Sequence, residues 1–136
     1  MPTAAHARVF AVAVVLGACG GEPLAPQGSF DASSRTGTFE ATFSSLPDPP
    51  TTGTNALGFE LRKGGGSVVD AMVTLEPWMP AHGHGSSKAP LVTNLGAGAY
   101  RAEDIYLTMP GHWELTIEVS AGGERDLFVL DYDVKQ

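Results

Sequence analysis

Strict alternation of apolar and polar residues is clearest in the last quarter of the chain. Over residues 113–119, Trp113, Leu115, Ile117 and Val119 share one face, while Glu114, Thr116 and Glu118 share the other. That period of two belongs to a β-strand with one side in a core and one in water. After a turn at Ala121-Gly122-Gly123-Glu124 the pattern resumes over residues 127–134, with Phe128, Leu130, Tyr132 and Val134 in phase. The pair predicts a hairpin. Five further strands follow from the same reading. Residues 38–43 carry Phe39, Ala41 and Phe43; residues 55–62 carry Leu57, Phe59 and Leu61. In residues 68–76, Val69, Ala71, Val73 and Leu75 point inward and Met72 points away. Residues 91–95 and 100–107 complete the set, with Gly-rich turns at 63–66 and 95–98. No segment sustains a 3.6-residue apolar stripe. Short strands separated by turn residues predict an all-β fold, a seven-stranded immunoglobulin-like antiparallel sandwich over residues 37–136.

The residues ahead of this domain follow different rules. Residues 1–8 end on Arg8, residues 9–15 are an unbroken apolar run, and Leu16-Gly17-Ala18-Cys19 closes the segment. A charged start, a short apolar stretch and small residues at the cleavage point make residues 1–18 a secretory signal. The run is far shorter than the roughly 20 residues of a membrane-spanning helix. Leu-Gly-Ala-Cys resembles the lipobox of bacterial lipoproteins, in which the cysteine carries the lipid. Cys19 is the single cysteine, so an intrachain disulfide has no partner, and lipidation accounts for the lone thiol. Residues 19–36, rich in Gly, Pro and Ser, read as a flexible tether. The expected location is a bacterial cell envelope, lipid-anchored and facing the periplasm or the exterior.

Cleavage after residue 18 removes one of the eight Lys/Arg and none of the fifteen acids, leaving a net charge of −8. Without a basic cluster the chain is not a nucleic-acid binder. Against that acidic background two short copies of one pattern stand out: Met79-Pro80-Ala81-His82, running on into Gly83-His84-Gly85, and Met109-Pro110-Gly111-His112. Three of the four histidines and two of the four methionines lie there. Thioether and imidazole together suit copper, Cu(I) above all. In an antiparallel sandwich alternate loops open at the same end. The loops after the third and fifth expected strands therefore share an end, together with the loop after the first. Gly83 and Gly85 permit the backbone angles that bring both imidazoles to one point. Trp78 and Trp113 flank the two segments, and their expected role is to plug the end of the core.

The stretch from Pro77 through Ser87, with Ala89-Pro90, Gly98-Ala99-Tyr100 and Met109-Pro110-Gly111-His112-Trp113, resembles the YtkA-like domain family over about residues 50–120. The resemblance implies an envelope-exposed, often lipid-anchored, immunoglobulin-like domain. It also implies a copper role for Met79, His82, His84, Met109 and His112, with copper-trafficking or oxidase-assembly proteins as partners.

Two functions of different class follow. One is a metal-binding lipoprotein that captures or hands on copper. Zn(II) is the second metal, with Glu103, Asp104 and Glu114 as spare oxygen donors. The other is an interaction module of the envelope that uses no metal. An enzyme is not expected: no Gly-x-Ser-x-Gly elbow and no spaced Ser/His/Asp set is present.

Overall fold

The alternation over residues 113–134 becomes the longest hairpin of the molecule, Gly111–Ala121 paired with Glu124–Val134 along their whole lengths. The computed structural model describes residues 28–136; the expected signal, Cys19 and the first part of the expected tether lie outside them. Among the described residues ten strands form: β1 Phe30–Ser33, β2 Glu40–Leu46, β3 Gly53–Lys63, β4 Gly66–Ser67, β5 Met72–Met79, β6 His84–Gly85, β7 Leu91–Gly96, β8 Ala99–Leu107, β9 Gly111–Ala121 and β10 Glu124–Val134. All named pairs are antiparallel. One sheet runs β1-β2-β3-β8-β7, with β4 folded back on β3; the other runs β10-β9-β5-β6. The seven long strands divide as β2-β3-β8-β7 against β9 flanked by β5 and β10. This is the A-B-E-D against C-F-G division of constant-type immunoglobulin domains. The expected count of seven is exceeded by three short strands, β1, β4 and β6.

The core lies between the two sheets and is built from the in-phase residues. Phe39, Ala41, Phe43, Leu61, Trp113, Ile117 and Val119 are completely buried. Phe43 links the layers, with its ring 5.2 Å edge-on from Phe128 and 5.5 Å from Phe59, which stacks on Tyr100 at 5.4 Å. Such pairs add directional attraction to the burial of apolar area.

Two expectations are corrected. The tether does not run to residue 36: Phe30–Ser33 pairs with β2, and the segment behind it is hooked onto β10 by a buried carboxylate. Asp126 accepts hydrogen bonds from Ser34 Oγ at 2.6 Å, Thr36 Oγ1 at 2.7 Å and Thr36 N at 3.0 Å. Desolvation opposes its ionisation, yet these donors and the Leu127 N–H outweigh it and hold the carboxyl well below the usual carboxylate range. Small polar residues that suggest a linker are here donors to a charge. The second correction concerns residues 68–71, expected at the start of a strand. The chain crosses there from one sheet to the other. Val68 O accepts from the Tyr100 hydroxyl, which in turn accepts from Ala71 N, and Val69 O accepts from Asn94 Nδ2. Val69 is 50% exposed, so the inward phase fails there and holds from Ala71 onward, where Ala71 and Val73 pack against the core.

Three loops share one end, as strand parity requires. Asn55 is buried and ties the β2–β3 loop down, donating from Nδ2 to Thr51 O and accepting at Oδ1 from Thr51 N. Thr51 bridges to Lys135 just past β10, and Val134 lies opposite Gly111 at the start of β9.

Candidate metal centre

Strand β5 ends at Met79, the last inward position of its alternation, and Met79 is only 2% exposed. Proline at residue 80 cannot donate to a ladder, so the chain leaves the sheet. It closes a tight turn in which the Met79 carbonyl accepts from His82 N and Gly83 N at 3.2 and 2.9 Å. Gly83 takes φ of +63°, and the return strand β6 sets His84 directly opposite Met79. Opposed residues of an antiparallel pair project to the same side with Cβ atoms about 5 Å apart. Thioether and imidazole therefore stand side by side.

The two imidazoles of this turn also meet. The His82 and His84 ring centroids are 5.8 Å apart. With metal–nitrogen bonds of about 2 Å, two imidazoles on one ion have centroids roughly 4.5–6.5 Å apart, so the observed separation fits shared ligation. Nδ1 of His84 lies 3.0 Å from the Gly85 carbonyl. A carbonyl only accepts, so in the neutral ring Nδ1 holds the proton and Nε2 carries the free lone pair.

The second loop is pressed against the first. Trp113, completely buried, donates from Nε1 to the Met109 carbonyl at 3.0 Å and receives the His84 ring edge-on at 5.9 Å. Gly111 has φ of +134°, and a Cβ there would overlap Cε of Met79. Met109 is half-buried against the core. The sulfur-bearing and imidazole-bearing segments thus meet at one end, with Met79 as floor, His84 half-buried above it and His82 at the exposed rim.

A match to the YtkA-like family model covers residues 33–118, more than half of the chain. The chain belongs to the YtkA-like family. The match reaches further toward the N-terminus than the motif residues did, to β1. No curated protein matches the chain. Among solved structures, a DUF4426 family protein from Pseudomonas aeruginosa PAO1 is similar at 15% identity and a TM-score of 0.56, over 76% of this chain and 96% of that one. At that identity the likeness is one of fold.

Two flanking residues of this YtkA-like domain go elsewhere than expected. His112 is the second residue of β9, one step out of phase with Trp113, and period two sends it to the outer face of the sheet. There Nδ1 pairs with Asp133 at 3.2 Å and Nε2 with Asp131 at 3.1 Å. The hydrogen bond to Asp133 raises its pKa above 6.5; desolvation opposes, and the charges of Asp131 and Asp133 add to the rise. His112 therefore turns away from Met79, His82 and His84. Its own neighbours are carboxylates, with donor atoms of His112, Glu114 and Asp131 within 4.8 Å of one another. Asp131 and Asp133 were legible in principle: once the turn is set at Gly122-Gly123, hairpin register places them opposite Glu114 and His112. Trp78 also lies on the outer face, 39% exposed; of the two tryptophans only Trp113 plugs the core.

Proposed function

We propose that this YtkA-like domain is an extracytoplasmic lipoprotein that binds copper, Cu(I) in preference to Zn(II), through Met79, His82, His84 and Met109. The observation that carries the reading is the seating of His84 opposite buried Met79 with the His82 ring 5.8 Å away. Two thioethers and two imidazoles form a soft, oxygen-poor donor set, which favours Cu(I). Of the carboxylates near the loops, Asp104 pairs with Lys88 and Glu103 with Arg101, and Glu114 lies with His112 and Asp131 on the outer face of the sheet, which leaves zinc fewer oxygen donors beside Met79 and His84. An exposed histidine over a buried methionine suits capture and release rather than permanent storage, so the role is transfer between envelope proteins, copper-trafficking or oxidase-assembly factors among them. No catalytic role is assigned. The Leu16-Gly17-Ala18-Cys19 sequence supports the lipid anchor and the envelope location.

Titration of the protein with Cu(I) against a chromogenic chelator tests the reading. One Cu(I) per chain is expected, bound more tightly than Zn(II). The His82→Ala/His84→Ala double variant should weaken it by at least about 100-fold, the upper range for groups that merely orient metal ligands. Binding that survives this double substitution would exclude the site.

A further inference from the structure

The described chain begins at the same end as the metal loops. β1 runs antiparallel to β2, with Phe30 opposite Phe43 and Ser33 opposite Glu40. Since β2 runs toward the β2–β3 loop, the residues ahead of Phe30 emerge beside that loop. Gly28 confirms the placement: a Cβ on it would overlap the Asp48 carboxylate. From Asp48 the same end continues through Thr51, Lys135 and Gly111 to Met79. The Gly122-Gly123 turn of the long hairpin is at the opposite end, about 30–37 Å away along eleven-residue strands.

Cys19 precedes Gly28 by nine residues, a stretch that spans at most about 30 Å. A second feature agrees with this proximity. Among the exposed large apolar residues, Phe30, Leu46, Trp78, Leu91 and Tyr106 all lie at strand ends on this side, and they come from both sheets. They ring the end. Trp and Tyr, each an apolar ring with a polar atom, are the side chains that settle at headgroup level in a bilayer. The exposed apolar residues at the other end, Val69, Met72 and Leu95, include no aromatic.

The geometry points to the His/Met end as the face that this protein turns toward the lipid bilayer holding it, with Trp78 and Tyr106 in the headgroup layer. The inference rests on the lipid-anchor part of the proposed function and not on the metal. Asp131 and Asp133 on the adjoining face repel anionic headgroups, so the short anchor, not charge, brings this end to the surface.

The test uses the full, acylated protein in phosphatidylethanolamine/phosphatidylglycerol vesicles containing a headgroup-level nitroxide lipid. A fluorophore is placed on Ser87→Cys in the loop after β6, or on Arg125→Cys beside the far turn; both positions are exposed. Quenching at residue 87 is expected to exceed that at residue 125 several-fold. In the unsubstituted protein, brominated lipid should quench the exposed Trp78 while Trp113 still emits. Equal or stronger quenching at residue 125, or tryptophan emission indifferent to brominated lipid, overturns the orientation. Mass spectrometry of the mature chain is the separating control. A chain without acyl groups on Cys19 overturns the orientation and the anchor together, whereas an acylated chain with equal quenching overturns the orientation alone. Neither readout involves Cu(I), so the copper reading stands or falls separately.

Discussion

Met79-Pro80-Ala81-His82 and Met109-Pro110-Gly111-His112 are nearly the same four residues, yet the fold uses them in opposite ways. The first copy ends a strand. Its histidine falls in a turn, where backbone angles are free to aim the ring at a neighbour. The second copy begins a strand, and its histidine is already bound by the strict alternation that buries Trp113. A shift of one residue in a strand moves a side chain to the other face of the sheet. What a motif contributes therefore depends on which side of a strand boundary it falls, and not on its composition.

The comparison can be strained from several directions. Trp113 joins the two copies, touching His84 and the Met109 carbonyl while plugging the core. Trp113→Ala should cost about 3–5 kcal/mol, read as a lower urea midpoint, and should abolish metal binding by letting the loops part. Next in size is the metal itself. His112→Ala should leave Cu(I) affinity within about twofold, whereas His82→Ala/His84→Ala removes at least about 100-fold. Equal losses would mean that the two copies act alike. Gly111→Ala puts a side chain at a φ reserved for glycine and against Met79, so a loss of roughly 1–3 kcal/mol is expected, with weakened Cu(I) binding through the displaced thioether.

The smallest effect concerns protons. An NMR titration should find the His112 midpoint above 6.5, falling when Asp131 and Asp133 become Asn. Because the folded-state value is the raised one, the stabilisation is complete below the unfolded pKa and fades as pH rises through the folded pKa. Asp126 has the opposite sign: its contribution is present above the ordinary carboxylate range and fades only as acid protonates it in the folded state.

Alternation carried most of the fold. Leu115, Ile117 and Val119 with Phe128, Leu130 and Val134 face the core as their spacing requires, because nothing competes with the ladder there. It misled where side chains take over backbone hydrogen bonds, as Tyr100 and Asn94 do for residues 68–71. It was silent at β1, whose neighbours Ser34 and Thr36 matter for a carboxylate ninety residues away. Parity placed both loops at one end, yet it also held the reason for His112 to leave the set. Reading the second motif together with Trp113 as one strand would have shown it. Asp104, at φ +59° where β3 and β8 slip register, carried no local warning at all.

The hook at Asp126 has a mechanical consequence. Force applied to the chain ahead of Gly28 runs along β1 and loads its bonds to β2 side by side, in shear, instead of peeling them one at a time. Behind that short strand, Ser34 and Thr36 grip a carboxylate on the opposite sheet, so the pull is shared by both layers. A domain pulled from this side would resist without its sheets starting to fray.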